Sequence, residues 1–237
     1  MALLSGKYYP IGLDVSDLSL KASQVKKRAK SVRMQAMNEV FLEEGLIDGG
    51  EIKDKEKLLR RMNKLWKDPL FGSFNSHQVV ASLPDVQTFV KLLSVDKGVN
   101  DISETIEAEI EKNIPYLINK VYYDWQVILE DGDHYSILVG VCPKKISDSY
   151  YELLTEAGLS VEALEIEAVA IARSLLQEES PSSGRKQKKN NYLMVDLGRS
   201  RTTFVIYSQG TVVFATDIEI SGDNITKEIS KQLEISY

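Results

Sequence analysis

Two aspartates, Asp14 and Asp196, each end an apolar run and are each followed by a short turn of small polar residues. A carboxylate at a strand tip is a suitable ligand for Mg²⁺, and backbone N–H groups on small residues can approach a phosphate closely. The two copies occupy residues 10–25 and 192–206. The alternative is that each copy is an ordinary β-hairpin whose Asp and Ser satisfy turn backbone groups. Because the pattern occurs twice, a domain's length apart, we favour a phosphate and Mg²⁺ site.

The composition excludes several other kinds of site. Among the 237 residues there are one cysteine, Cys142, and two histidines, which excludes an intrachain disulfide framework, a CxxC metal site and a histidine-rich metal centre. The formal net charge is −6 and the cations are spread along the chain apart from two short clusters, which does not suggest a nucleic-acid surface. No stretch approaches the ~18 uninterrupted apolar residues of a membrane span, and no signal peptide is visible. We expect a globular cytoplasmic protein without a nucleic-acid partner.

Each aspartate-bearing hairpin begins a similar series of elements. The first series contains strands at residues 8–15, 18–25 and 31–41, with a basic turn at 26–30, and then a helix capped by Asp54. In the second series, the hairpin of residues 192–206 is followed by a turn at Gly210, a strand at 211–218 and a helix opened by Ser221 and Gly222. Both series therefore follow one plan, three meander strands and a helix, although their sequences differ.

The residues between the two series form further predicted elements. A glycine-rich loop at 43–51 and a strand at 78–83 come first, and then the pattern changes at residue 85. From there the periodicity predicts a strand at 86–95, a helix ending near Pro115, strands at 122–129 and 135–142, and a helix ending at Gly158. A strand at 159–164, a helix at 165–176 and a polar, mobile loop at 177–191 follow.

The sequence resembles the actin-like ATPase superfamily and, more narrowly, the PilM family of type IV pilus assembly, which is related to the division protein FtsA. The resemblance is carried by IGLDVSDLSLKASQV, GLIDGGEIKDKEKL, IEAEIEKNIPYLINKVYYDWQVI, ILVGVCPKKISDSYYELLTEAGLSVEALEIEAVAIARSL and VDLGRSRTTFVIYSQGTVVFATDIEISGDNIT, which cover most of the chain. It implies an α/β fold in which residues 1–84 and 158–237 form an actin-like (ribonuclease H-like) first subdomain. Residues 85–157 would form an inserted SHS2-type α+β module.

The resemblance also implies roles for individual residues. Asp14 and Asp196 would bind Mg²⁺ through water. Glu167 would orient the attacking water, and Asp196 would be the second catalytic residue. The implied nucleotide-binding residues are Asp14, Ser16, Asp17, Leu18, Ser19, Lys21, Gly198, Arg199, Ser200 and Thr202. This set suits phosphoryl transfer, which needs charge neutralisation and an oriented water. Two alternatives stay open: Glu167 as an acid favoured by a helix start, and Lys21 as a solvated residue of an alternating strand.

The sequence departs from the family pattern in two places. Ser16 stands where the family commonly has glycine, so the backbone would approach a phosphate less closely. The sequence ends at Tyr237, where the family would continue into a second large subdomain that carries the adenosine motif. We therefore expect ATP and Mg²⁺ to bind weakly or not at all in this form, and whether the chain is an enzyme stays open.

The function that the resemblance implies is a cytoplasmic scaffold of type IV pilus assembly, or of a related secretion or competence system. Such a scaffold would bind the cytoplasmic N-terminal tail of a PilN-like inner-membrane protein, in a groove between the first subdomain and the inserted module. Membrane contact would be indirect, through that partner, and exposed edge strands could support self-association. The alternatives are an autonomous actin-like ATPase and an FtsA-like polymerising membrane adaptor. The adaptor would require an amphipathic targeting tail, and none is visible in the sequence.

Overall fold

The computed structural model describes residues 9–28, 31–176 and 190–236. Within these ranges the strands are β1 (Ile11–Ser16), β2 (Ser19–Arg28), β3 (Ser31–Phe41), β4 (Ile47–Asp48), β5 (Glu51–Ile52), β6 (Phe71–Gly72), β7 (Gln78–Leu83), β8 (Phe89–Asp96), β9 (Val121–Asp131), β10 (His134–Pro143), β11 (Ser160–Ile166), β12 (Tyr192–Leu197), β13 (Thr202–Ser208) and β14 (Thr211–Ile218). The α-helices are α1 (Lys55–Leu65), α2 (Ile102–Asn113), α3 (Lys144–Glu156), α4 (Glu167–Leu175) and α5 (Gly222–Leu233).

The chain divides into two compact units, residues 1–84 with 145–165 and residues 85–144 with 166–237. This grouping differs from the division predicted by family resemblance, which has boundaries at 84/85 and 157/158. Nearly all of α3 belongs to the first unit, where the buried Tyr150 hydroxyl donates a hydrogen bond to the Gly50 carbonyl, 3.1 Å away. The predicted subdomain and module boundaries stay a prediction.

In the first unit a six-stranded sheet has the order β11-β7-β1-β2-β3-β6. Strands β1, β2 and β3 form the predicted antiparallel meander, and β1 also pairs with β7 in parallel. Helix α1 buries one stripe, Leu58, Met62 and Leu65, at the spacing that places side chains on one helical face. Its predicted cap is confirmed, because the Asp54 carboxylate accepts the Lys57 N–H at 3.0 Å.

In the described part of the second unit there are two three-stranded sheets, with the orders β8-β10-β9 and β12-β13-β14. On the first sheet, Ile106 and Ile110 of α2 pack against Ile137 and Val139 of β10. On the second sheet, a core of small and apolar side chains joins α4 to the strands; it contains Ala168, Ala172, Met194, Val205 and Val212. The second meander and its following helix are thus confirmed, and the Ser221 hydroxyl caps α5 by accepting the Asn224 N–H at 3.2 Å.

Three predicted local structures are partly wrong. Of the basic turn predicted at 26–30, residues 26–28 instead continue β2 to Arg28, since cationic residues are compatible with a solvent-exposed strand, and residues 29–30 lie outside the described part of the chain. The loop at 43–51 contains a small hairpin, because Gly49 and Gly50 both adopt the positive φ that a two-residue turn requires. The strand predicted at 86–95 begins only at Phe89 and is preceded by a 3₁₀ turn, Asp85–Gln87.

The residues before β12 are described only in part. The mobile loop predicted at 177–191 lies outside the described residues except for Asn190 and Asn191. Among the helices that the structure describes, none combines the length and the apolar character needed to cross a bilayer.

The buried hydroxyl of Tyr150 gives a test of the packing of α3 in the first unit. Tyr150→Phe keeps the ring but leaves the Gly50 carbonyl without this donor, so we expect a loss of about 1 kcal/mol in unfolding free energy. Tyr151→Phe is the matched control, because the neighbouring ring is 52% exposed, and it should be neutral within about 0.5 kcal/mol. Urea unfolding followed by circular dichroism measures both, and equal effects of the two substitutions would contradict this packing.

Candidate functional site

The first aspartate-bearing turn joins β1 to β2 in the first unit. The side chain of Asp14 is 33% exposed, and Lys21, its cross-strand neighbour, donates to its carboxylate at 3.3 Å. The Ser82 hydroxyl lies 3.5 Å from the other carboxylate oxygen. Lys21 is therefore paired with Asp14, and the turn already contains one positive charge beside its carboxylate.

The side chains of the first turn serve to hold the turn in place. The Asp17 carboxylate accepts two backbone N–H bonds from the β4–β5 turn, from Gly49 at 3.2 Å and Gly50 at 3.0 Å. The Ser16 hydroxyl donates to the Ser19 carbonyl at 3.0 Å. Leu18 is half-buried, and its carbonyl accepts the Leu42 N–H. If this turn binds an anion, the contribution of Asp17 is indirect, because its own negative side chain is directed to the glycine pair.

The second aspartate-bearing turn, residues 197–201, lies in the second unit and is fixed to the start of α5. The N–H groups of Gly222 and Asp223 donate to the carbonyls of Gly198 and Arg199, at 2.9 and 3.1 Å. The Arg199 guanidinium in turn donates to the Asp223 carboxylate at 3.1 Å. A Cβ at Gly198 would lie only 2.8 Å from the Arg201 carbonyl oxygen, so this position requires glycine.

The side chains in and beside this turn differ in their exposure and in their hydrogen bonding. Asp196, at the end of β12, is exposed, and Ser200 in the turn is half-buried. Thr202 is buried, and its hydroxyl donates to the Ile220 carbonyl at 2.6 Å. The hydroxyl that the family resemblance assigns to phosphate thus bonds within the protein in this structure.

A row of polar side chains crosses the second meander next to this turn. Asp196, Thr203 and Asp217 stand opposite one another on β12, β13 and β14, so they share one face of the sheet. The Thr203 hydroxyl donates to the Asp217 carboxylate at 2.6 Å. Sequence reasoning identified Asp196 and missed Asp217, although strand alternation and the β13–β14 turn could have placed Asp217 on the same face.

A third carboxyl group, that of Asp85, interacts electrostatically with the two aspartates of this row. Its Oδ1 accepts the Ala168 N–H at 3.0 Å, at the amino end of α4, where the cap residue Ile166 provides no side-chain bond. Burial raises the pKa of Asp85 to about 7; the Ala168 N–H opposes this shift, and the carboxylates of Asp217 and Asp196 add to it. Nothing local in the sequence indicates this contact, because its partners are 83 residues apart.

Glu167 and the aspartates are the candidate groups for metal and water chemistry. Glu167 is half-buried and is the first residue of α4, next to the Ala168 amide that Asp85 accepts. Within the described residues, no three His, Cys, Asp or Glu side chains group closely enough to hold a metal ion. Mg²⁺ usually takes only one or two protein carboxylates together with phosphate and water, which fits single aspartates at strand tips. Asp196 is thus a suitable carboxylate for Mg²⁺ carried by a nucleotide.

A groove of about 350 Å³ lies between β8 and β14, entirely within the second unit. We call it the β8–β14 groove; it is lined by residues 88–93, by one face of α2, by residues 213–215 and by two residues of β10. Its lining includes the aromatic rings of Phe89 and Phe214, and Phe214 is 49% exposed. Lys91 and Asn113 are hydrogen-bonded to each other and also line it. The groove is therefore largely apolar with polar groups among its lining residues.

The raised pKa of Asp85 predicts a pH-dependent stability. The folded-state pKa of about 7 lies above the ordinary value of 3.8, so the folded protein binds the proton more tightly and its stability falls as pH rises. When the pH is raised from 5 to 8, we expect ionisation of Asp85 to lower the unfolding free energy by roughly 2–3 kcal/mol. Asp85→Asn, which keeps the acceptor oxygen but has no charge, should lose most of this dependence. Urea unfolding at the two pH values measures it.

Asp131→Asn provides the control for the pH experiment, because this carboxylate is exposed. Its pH dependence should follow that of the unsubstituted protein. A pH profile of Asp85→Asn indistinguishable from that of Asp131→Asn would refute the assignment of Asp85 as a buried, proton-binding carboxyl.

Comparisons with known proteins identify the fold and the family. The family described as Type IV pilus assembly protein PilM matches residues 12–237. Among solved structures, the PilM-PilN type IV pilus biogenesis complex is similar at a TM-score of 0.75 and 18% identity, covering 98% of this chain and 67% of the matched chain. The ethanolamine utilization protein EutJ from Carboxydothermus hydrogenoformans is similar at a TM-score of 0.55 and 13% identity, covering 98% of this chain and 59% of EutJ.

The structural similarities establish the fold, and the family match covers nearly the whole chain. The actin-like α/β fold expected from the sequence is confirmed. The chain spans about two thirds of the matched PilM chain and a smaller share of EutJ. It belongs to the type IV pilus assembly PilM family.

Proposed function

We propose that this chain is a scaffold of type IV pilus assembly that binds the cytoplasmic N-terminal tail of a PilN-like inner-membrane protein in the β8–β14 groove. The observation that carries this proposal is the groove itself, which is largely apolar and is lined by β8, β14 and α2; β8 and β14 are each at the edge of their sheet among the described residues. The similarity to a PilM protein in complex with PilN supports a PilN-like partner. Through this partner the scaffold would be held at the cytoplasmic face of the inner membrane.

The groove offers the two kinds of contact that an extended peptide needs. Edge strands present backbone N–H and C=O groups with which a peptide can pair, and alternate peptide side chains can then enter apolar pockets. Phe89, Ile110, Ile114 and Phe214 provide apolar surface, whereas Lys91 and Glu109 provide charges of both signs. A segment with alternating apolar and polar residues is the peptide that such a groove would favour.

The aromatic ring of Phe214 is the most direct test of the groove. The probe is a synthetic peptide with the cytoplasmic N-terminal sequence of the PilN-like protein from the same organism, titrated by calorimetry. Because a half-exposed aromatic residue in a groove is a typical binding hot spot, Phe214→Ala should weaken binding at least about tenfold, or about 1.4 kcal/mol.

Phe41→Ala is the matched control for Phe214→Ala. This ring lies on β3 in the first unit and is 60% exposed, so its removal should leave the affinity unchanged. Absence of saturable binding by the folded, unsubstituted chain, or equal losses in the two variants, would count against the groove as the partner site.

We further propose that the chain binds ATP with Mg²⁺, and that each aspartate-bearing turn, within its own unit, is a candidate anion-binding element. The rigid attachment of the second turn to α5, and the glycine that its geometry requires, support an anion-binding role for residues 197–201. The ion pair between Asp14 and Lys21, and the engaged hydroxyl of Thr202, indicate weak binding, because both contacts compete with the ligand. The proposal is therefore a low-affinity nucleotide site rather than an efficient ATPase.

Removal of the second aspartate tests the nucleotide proposal. We expect Mg-ATP to bind with a Kd of about 1 mM, which corresponds to a binding free energy of about −4 kcal/mol. Asp196→Ala should weaken this binding at least tenfold, because Mg²⁺ loses a carboxylate. Asp131→Ala is the control. Equilibrium dialysis with radiolabelled ATP measures binding, and phosphate release measures hydrolysis. Binding that is unchanged in Asp196→Ala would exclude this aspartate from the site, and rapid hydrolysis that requires Asp196 would favour the autonomous ATPase instead.

A further inference from the structure

We propose that the β8–β14 groove is coupled to the amino end of helix α4, with Val90, Ala215 and Asp85 as the residues that transmit occupancy of the groove to that helix. This inference rests on the proposed peptide-binding function of the groove and adds a conformational readout to it. Asp85 acts here as a positioning residue, since it lies outside the groove lining.

The first link is a packing contact shared by the groove and the helix. Val90 of β8 and Ala215 of β14 both line the groove. The same two residues pack against the core cluster that contains the buried Ala168 and Ala172 of α4. Close-packed interiors transmit displacements. A ligand that moves either groove wall therefore also displaces the side chains that pack against α4.

The second link is a hydrogen bond at the first turn of the helix. The 3₁₀ turn that begins with Asp85 leads directly into β8, and the Asp85 carbonyl accepts the Thr88 N–H at 3.0 Å. Thr88 lines the groove, while the side chain of Asp85 accepts the Ala168 N–H of α4 at 3.0 Å. The segment from Asp85 to Thr88 thus caps α4 through Asp85 and lines the groove through Thr88.

The opposite wall of the groove reaches the same region. Val213, Phe214 and Ala215 of β14 line the groove, and Asp217, two residues further on, is one of the carboxylates whose charge acts on Asp85. The facing groups around Asp85 are therefore Asp217 of β14, Asp196 of β12 and the amide of Ala168. β8 therefore begins, and β14 ends, in the region of Asp85, whose side chain caps the start of α4 next to Glu167.

The consequence is that a ligand in the groove should reduce opening of the first turn of α4. A bound extended peptide would fix β8 and β14 relative to each other, and with them Val90, Ala215 and Asp85. The amide of Ala168 then exchanges with solvent more slowly, because its acceptor moves less. The coupling therefore also involves Glu167, which precedes Ala168 and is the first residue of α4.

Amide hydrogen exchange of the full chain, followed by NMR, tests this coupling at the Ala168 N–H. The probe is the synthetic N-terminal peptide of the PilN-like protein. In the unsubstituted chain, saturating peptide should slow exchange of Ala168 about tenfold. In Asp85→Ala the peptide should change it less than twofold, whereas Asp85→Asn, which keeps the acceptor oxygen, should retain the effect. The internal control is the Leu58 amide, which bonds to Asp54 in the first unit and should not respond.

The outcomes separate the coupling from the function on which it rests. If the peptide does not bind the folded chain, the peptide-groove function fails and the coupling fails with it. If the peptide binds but leaves the exchange of Ala168 unchanged, only the coupling is overturned. That second result needs no variant, so it remains decisive even if Asp85→Ala does not fold. Equal responses in Asp85→Ala and the unsubstituted chain would remove Asp85 from the pathway.

Discussion

The hydrogen bond from the Ala168 amide to the Asp85 carboxylate is the contact on which the arrangement of the second unit depends. It joins the segment before β8 to the first turn of α4, two parts of the chain that are far apart in sequence, while the carboxylates of Asp196 and Asp217 in the second meander repel the ionised form of Asp85. A carboxyl group buried near other carboxylates destabilises the fold when it is ionised. The helix start offsets part of this cost, because its N–H groups and dipole favour an acceptor there. The polar contact therefore fixes position at some expense of stability.

Each of the two aspartate-bearing turns is held in part by an element that is distant in sequence. In the first unit the carboxylate of Asp17 binds the Gly49-Gly50 turn, and Gly50 is bound in turn by Tyr150 of α3. In the second unit the start of α5 donates to the carbonyls of Gly198 and Arg199. A loop that binds a small anion must be fixed before the ligand arrives, since the cost of ordering it would otherwise be subtracted from the affinity. Both turns meet this requirement, within their separate units.

The features that the sequence could predict are those whose cause is local. The meanders follow from period-two alternation, the caps Asp54 and Ser221 from the chemistry of a helix start, and the β13–β14 turn from the glycine at position 210, which has a positive φ in the structure. Asp14 and Asp196 were found because each ends its own strand. The role of Asp85 and the pairing of Lys21 with Asp14 were not found, because the partners come together only through tertiary structure or strand register. The family resemblance implied a groove between the first subdomain and the inserted module, but it named none of the residues that line the β8–β14 groove.

The size of the residues around α4 explains why a groove and a helix start can influence each other at all. Ala168 and Ala172 are small and fully or nearly fully buried, so the strands pack close to the helix backbone, and Val90 and Ala215 leave little space between the groove and the core. A ligand can shift such an assembly only by as much as it binds one arrangement better than another. Typical coupling energies are on the order of 1–3 kcal/mol, which changes the population of an open helix turn roughly 5- to 150-fold. Such a coupling is too small to unfold α4, so the expected response is a change in the frequency of opening rather than a new fold.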